Sequence, residues 1–143
     1  MDTPLMEFDG KLIEQVNANP LYTAIGIRIE TAQDGIVTAR LEPAPAMCWP
    51  FTGQPHGGVL FTLMDTTMAW AAISGQPEFG SCTTIHADIQ YTRPARGDLF
   101  TCRAEVVSKT TRISFIKATI NDPGGAVLAM GQGTYRLMKM PLV

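Results

Sequence analysis

Residues 56–77 read HGGVLFTLMDTTMAWAAISGQP, and between His56 and Glu78 the chain contains one charged side chain, Asp65. From Val59 to Ile73 the residues are good helix formers and almost wholly apolar. This pattern predicts a helix that is buried around most of its circumference. We expect the helix to begin close to His56 and to stop within residues 74–77, which read Ser-Gly-Gln-Pro. The rest of the chain must then cover this helix.

Alternating apolar and polar residues predict six strands for that purpose. Two strands precede the helix, at residues 25–32 and 35–42, and a two-residue turn at Asp34-Gly35 joins them. Four strands follow it, at residues 82–93, 99–108, 111–121 and 126–138. This order indicates a single α+β domain over residues 1–143, in which an antiparallel sheet wraps around one long central helix.

Two further segments complete the prediction. Residues 5–18 place apolar side chains three to four positions apart and predict a short amphipathic helix that ends near Asn19-Pro20 and packs as a lid or an edge element. Residues 43–55 are rich in proline and have no periodicity, which is typical of a loop.

Charge and cysteine content exclude several classes of function. The net charge is −2 and the basic residues are scattered, so we expect no binding to nucleic acid or to an anionic membrane. The three cysteines have neither a disulfide nor a zinc-ligand pattern, so no metal site is predicted. The N-terminus lacks a signal sequence and the longest apolar run is too short to span a bilayer, so we predict a cytoplasmic protein.

Asp65 has two interpretations. An ionised carboxylate among apolar residues costs several kcal/mol unless something compensates for its burial. It could be a structural acid that hydrogen-bonds to a hydroxyl or an arginine. Alternatively, it could activate water or act as a nucleophile.

Gly57 and Gly58 also have two interpretations. At the start of a buried helix they offer free N–H groups and the positive end of the helix dipole, which can stabilise an oxyanion. Alternatively, they only allow close packing against the sheet. Gly57 and Asp65 are separated by about 12 Å of helix rise, so one helix cannot present both groups to one carbonyl. A two-fold dimer with antiparallel helices would bring them together, which predicts a homodimer.

Five blocks between residues 18 and 137 carry a resemblance to a known family. They are NPLYTAIGIRIE, DGIVTARLEP, PHGGVLFTLMDTTM, TTIHADIQYTRPARGDL and GGAVLAMGQGTYRL. Their order and spacing resemble the hotdog-fold thioesterases, and in particular the phenylacetate-degradation (PaaI-like) branch. The resemblance implies an acyl-CoA thioesterase that releases a free acid and CoA without a metal or bound cofactor, assembled as a dimer and often as a tetramer.

The resemblance also implies roles for individual residues. Asp65 matches the catalytic carboxylate, and Gly57 matches the glycine whose N–H polarises the thioester carbonyl. The family tends to carry Asn or Gln six residues before the HGG histidine, where this chain has Pro50, so Gln54 is the candidate replacement. We interpret His56 mainly as a helix-start residue, with a catalytic role as a general base as the alternative. Further substrate-binding candidates are Gly58 and, for the CoA phosphates, Arg93 and Arg112, with Arg96 and Lys109 in similar turns.

The family also places a hydroxyl on the first strand after the helix. Counting back from YTRPA puts this hydroxyl at Thr84. Strand alternation favours Thr83 instead, because Thr83 shares the apolar face with Ile85, Ala87, Ile89 and Tyr91 if the strand is regular. Both threonines therefore remain candidates.

Two other functions are considered. Pro50 favours a non-catalytic protein that binds or senses acyl-CoA, because proline has no side-chain amide to hold a water or the carbonyl. A hotdog hydratase is less favoured, because the acid and histidine pair expected of that branch is not visible at the helix.

Overall fold

The protein is described here by a computed structural model covering residues 8–140. Its helices are α1 (Gly10–Asn17), α2 (Pro20–Ile25) and α3 (Gly57–Gly75), with one 3-10 turn at Pro45–Met47. Its strands are β1 (Ile27–Gln33), β2 (Ile36–Leu41), β3 (Gly80–Tyr91), β4 (Phe100–Lys109), β5 (Ile113–Asn121) and β6 (Val127–Lys139).

The six strands form one sheet in the order β1-β2-β4-β5-β6-β3, and every neighbouring pair is antiparallel. Helix α3 contacts all six strands, and side chains along its length are buried in the core. The predicted α+β architecture, with an antiparallel sheet around one long helix, is confirmed. The strand bounds agree with the prediction to within about two residues.

The turn between β1 and β2 forms where the Asp-Gly pair predicts it. Asp34 and Gly35 both adopt positive φ, at 50° and 82°, and the ladder closes at Gln33 opposite Ile36. Positive φ at both central residues gives a turn whose twist matches that of the strands it connects. The hairpin prediction is confirmed.

The N-terminal helix differs from its prediction. The structure begins α1 at Gly10, because the Asp9 carboxylate caps it by accepting a hydrogen bond from Leu12 N at 2.9 Å. Residues 5–7 lie outside the described residues. The edge role is confirmed, because the Asn17 amide group bonds both backbone groups of Ile29 on the edge strand β1, at 2.7 and 2.8 Å.

Helix α2 is an element that the sequence prediction missed. Asn19-Pro20 ends α1 as expected, but the same pair also starts a new helix. Asn19 accepts a hydrogen bond from Leu21 N at 2.8 Å, and Pro20 occupies the first helical position. Six residues are too few for a periodic pattern to be visible.

Strand β3 contains a β-bulge that corrects the predicted strand alternation. Thr84 lies opposite Tyr135 and His86 lies opposite Thr134, so Ile85 is an extra residue on β3. The bulge reverses which residues face the helix. Thr84 therefore faces α3 together with Ala87 and Ile89, and the expectation that Thr83 shares their face is wrong.

Beyond the C-terminus of α3, Gln76 fastens the helix to the turn between β4 and β5. Its side chain is buried and donates to the carbonyl oxygens of Thr110 and Thr111 at 3.3 and 3.0 Å. Its amide oxygen accepts a hydrogen bond from Ser114 Oγ at 3.0 Å. This cluster fixes the end of α3 relative to the sheet.

We therefore expect Gln76→Ala to lower the free energy of unfolding by about 2 kcal/mol, because it leaves the buried Ser114 hydroxyl without its acceptor. In a domain of this size, the loss corresponds to a fall in Tm of about 5–8 °C. Gln33→Ala, at an exposed glutamine, is the matched control and should leave Tm within about 1 °C. Equal Tm values for the two variants in thermal unfolding would contradict the role of Gln76 in fixing the end of α3.

Candidate active site

The Asp65 carboxylate lies half-buried on α3 and is held from one side. Its Oδ1 accepts hydrogen bonds from Thr84 Oγ1 at 2.9 Å and from Tyr135 Oη at 2.7 Å. Within residues 8–140, no group donates a hydrogen bond to Oδ2. No buried side-chain nitrogen or oxygen of these residues lacks a partner, so Oδ2 is accessible to solvent. One oxygen is therefore anchored and the other is open.

Tyr135 is the site residue that sequence reasoning missed. It is fully buried on β6, two residues after Gly133. A Cβ at Gly133 would lie 2.6 Å from the Tyr135 ring and 3.1 Å from Met68 Cε, so glycine is needed where the ring packs against α3. A signal was present in GQGTYRL, where two glycines and a tyrosine alternate on one strand face. That pattern allows a helix to approach a strand closely.

The neighbours of Asp65 remain neutral at physiological pH. Burial, followed by the hydrogen bond to Asp65 and its negative charge, raises the pKa of Tyr135 far above that of a free phenol, so Tyr135 stays a donor. Burial, and then the charge of Asp65, raise the pKa of Cys82 to about 12. A thiol with that pKa is not a nucleophile near neutrality.

At the start of α3 the structure distinguishes the two glycines. His56 is the N-cap, and its Nδ1 accepts a hydrogen bond from Gly58 N at 2.8 Å. Within the described residues, Gly57 N has no acceptor and is free for a ligand. Tyr91 Oη donates to Gly57 O at 2.6 Å and secures the first turn from the other side. His56 thus has the helix-start role that the sequence indicated.

Two cavities flank this helix start. One of about 410 Å³ includes Gln54, Gly57, Tyr91 and Arg93 in its lining, so the structure brings these predicted residues together. The other, of about 540 Å³, has Pro50, His56, Gly58 and Thr62 in its lining. Trp49 lines both cavities, and its ring centroid is 5.2 Å from that of His56.

Other predicted residues lie elsewhere. Thr83 is exposed on the opposite face of β3 from Thr84 and does not approach Asp65. Arg112 lies beside the turn that Gln76 clamps, at the far end of α3 from Gly57. Lys109 Nζ donates to Gly75 O at 2.8 Å and caps the helix C-terminus, where a cation is favoured.

Two observations concern metal binding and membrane insertion. Among residues 8–140, no three His, Cys, Asp or Glu side chains cluster closely enough to hold a metal ion. The helices found in this same part of the chain are too short or too polar to cross a bilayer.

Comparison with known proteins gives consistent matches. A family model described as the thioesterase superfamily matches residues 53–129, more than half of the chain. A Halobacterium salinarum protein whose name describes it as an esterase is 28% identical over 134 residues, covering 87% of this chain and 88% of the relative.

Solved structures agree with the family match. A thioesterase family protein from Silicibacter pomeroyi is 25% identical with a TM-score of 0.80, covering 90% of this chain and 96% of the other. The PaaI protein of the phenylacetic acid degradation operon of E. coli is 21% identical with a TM-score of 0.79, covering 91% and 92% of the two chains. The fold is the hotdog fold that the sequence predicted.

The capping role of His56 can be separated from a catalytic one by two substitutions. His56→Ala should reduce stability by about 1 kcal/mol, because Gly58 N loses its acceptor. His56→Asn keeps an oxygen that can accept this hydrogen bond and should restore both Tm and turnover. If His56→Asn recovers Tm but stays inactive, the imidazole has a chemical role beyond capping.

Proposed function

The chain belongs to the thioesterase superfamily, and on that basis we propose that it is an acyl-CoA thioesterase of the PaaI-like branch, which hydrolyses a thioester to a free acid and CoA. The observation that carries the proposal is the one-sided support of Asp65. Its Oδ1 is held by two hydroxyls while Oδ2 stays open. An anchored carboxylate with a free oxygen suits a general base or a nucleophile.

Two routes use this arrangement, and both begin with the thioester carbonyl oxygen at Gly57 N, whose N–H stabilises the negative charge that develops there. As a base, Oδ2 removes a proton from water while the water oxygen attacks the carbonyl carbon. The C–S bond then breaks and CoA leaves as the thiolate, which takes up a proton. As a nucleophile, Oδ2 attacks the carbon itself and expels the CoA thiolate. Water then hydrolyses the resulting anhydride.

Either route needs a second copy of the chain. Gly57 and Asp65 are two turns apart along α3, about 12 Å, so one subunit supplies only half of each site. The two edges of the sheet differ in a way that supports a dimer. Asn17 occupies backbone groups of the β1 edge, whereas β3 is twelve residues long and, among residues 8–140, pairs only with β6. An open edge of that length favours pairing with another strand.

The substrate-binding part of the proposal rests on the cavity beside Gly57. Arg93 is the cation there that suits a CoA phosphate, and Gln54 supplies an amide in the same cavity. Pro50 lines the other cavity and has no side-chain amide to hold a water or the carbonyl. This feature favours the second candidate, a non-catalytic protein that binds acyl-CoA.

Asp65→Asn should reduce kcat by about 10² to 10⁴, because the amide is neither basic nor nucleophilic. Tm should not fall, since the Asn oxygen can still accept hydrogen bonds from Thr84 and Tyr135. Thiol release from short aliphatic and aryl acyl-CoA substrates, together with thermal unfolding, measures both effects. Asp98→Asn, at an exposed loop carboxylate, is the control and should retain wild-type kcat. An Asp65→Asn variant that is destabilised yet turns over at the wild-type rate would end the catalytic interpretation.

The composite site also predicts a dimer or a larger assembly, with a tetramer expected by family resemblance. Ile85→Lys places a charge midway along the open β3 edge, where Ile85 is 57% exposed, and should shift the protein toward monomer with a parallel loss of turnover. Val107→Lys, at a 63% exposed residue of the internal strand β4, is the control and should keep at least the dimer. Light scattering at assay concentration measures both. A stable and active monomer would contradict the composite site.

A further inference from the structure

We infer that Tyr135 is the positioning residue that decides which oxygen of Asp65 reacts, an inference that rests on the proposed function. Thr84 and Tyr135 are directly opposite each other in the β3–β6 ladder. Both hydroxyls converge on one oxygen, Oδ1, so a cross-strand pair clamps the carboxylate.

The two members of this clamp are unequal. In the single chain Thr84 is exposed, so water admitted to the open side of Asp65 can replace its hydroxyl if it is removed. Tyr135 is 0% exposed, and its ring packs beside Gly133 and Met68, so no water can reach the position of its hydroxyl without a shift in the core. Its Oη also lies 3.3 Å from the backbone oxygen of Asp65. Tyr135 therefore contacts both the side chain and the main chain of the residue that it holds.

The chemical consequence is that the two oxygens of the Asp65 carboxylate have different roles. A carboxylate has about four in-plane acceptor positions, two on each oxygen. Thr84 and Tyr135 use both positions of Oδ1, which leaves both positions of Oδ2 for a water proton or for attack on the carbonyl carbon. Without the Tyr135 hydroxyl, the carboxylate can rotate, and a displacement of about 1 Å can cost about a hundredfold in rate.

The test is Tyr135→Phe, which keeps the ring in the core and removes only the hydroxyl. We expect kcat to fall about 10- to 100-fold while KM stays within about twofold, because the substrate does not contact Tyr135. In an Asp65→Asn background the same change should cause no further fall, because Tyr135 acts through the carboxylate. A full additional loss in that background, or a rise in KM at unchanged kcat, would overturn the inference.

Two more variants separate positioning from stability. Thr84→Val should lower kcat less than Tyr135→Phe does. The double variant should lower kcat more than either single substitution. Ser114→Ala removes an equally buried hydroxyl whose partner is Gln76, so it should lower Tm without lowering kcat. If Ser114→Ala reduces kcat as much as Tyr135→Phe does, the effect of Tyr135 is only one of stability.

Crystal structures of the wild type and the double variant provide a readout that needs no activity. If the wild type releases no thiol from any acyl-CoA, the proposed thioesterase function fails, and these structures decide the positioning question alone. We expect the Asp65 carboxylate to rotate or to occupy two conformers in the double variant. A single Asp65 conformation that is the same as in the wild type would overturn the inference that these hydroxyls hold the carboxylate.

Discussion

The accommodation of one carboxylate on an otherwise apolar helix determines how the sheet meets α3. Asp65 can be held there only because two strands turn hydroxyls toward the same point, Thr84 from β3 and Tyr135 from β6. The bulge at Ile85 brings Thr84 to the inner face, and Gly133 makes room for the Tyr135 ring. Gly131 similarly allows β6 to pass close to Met64 of α3. The bulge in β3 and the small residues of β6 thus allow both strands to place hydroxyls on the Asp65 carboxylate.

The same helix separates the two groups that the proposed mechanism uses. In its first turn, no acceptor from residues 8–140 reaches Gly57 N, while His56 accepts the hydrogen bond of Gly58 N, and its third turn carries Asp65. Because α3 is one continuous, buried helix, it cannot fold back to bring these groups together. In the part of the chain that the structure describes, no strand pairs with the outer edge of β3, the strand from which Thr84 contacts Asp65. The β3 edge, which is available for pairing with another strand, therefore belongs to a strand that contacts the Asp65 carboxylate directly.

Most of the fold could be predicted from the sequence because its elements are long and strongly patterned. The 19-residue helix, its start at His56, the six strands and the Asp34-Gly35 turn follow from composition, periodicity and turn chemistry. The bulge at Ile85 could not be predicted, because a single extra residue leaves no mark on an alternating pattern that is itself irregular. Helix α2 could not be predicted either, because its six residues are shorter than two turns.

The contacts of the candidate site could be predicted only in part, for a related reason. Gly57, His56 and Asp65 are close in sequence and belong to one recognisable block, whereas Tyr135 lies 70 residues from Asp65 and reaches it only through the pairing of β6 with β3. Gln54 and Arg93 likewise meet only where two loops approach the helix start. Contacts between distant segments depend on strand register, and one extra residue, such as Ile85 in the bulge, changes which side chains of β3 face α3.

A hydroxyl partner for Asp65 was also what a purely structural role would require, so the presence of Thr84 and Tyr135 does not by itself distinguish the two interpretations. The distribution of their hydrogen bonds is the feature that supports the catalytic interpretation that we propose. A carboxylate retained only for stability needs no oxygen left for a substrate, whereas a general base or a nucleophile needs one. Here both donors reach Oδ1, and the side chain is left half-exposed with Oδ2 toward solvent. The surrounding phenol and thiol are kept neutral by burial and by the charge of Asp65 itself. Under the proposed function, the open oxygen of Asp65 is therefore the base or nucleophile at this point of the molecule, and the neutral phenol and thiol beside it are not.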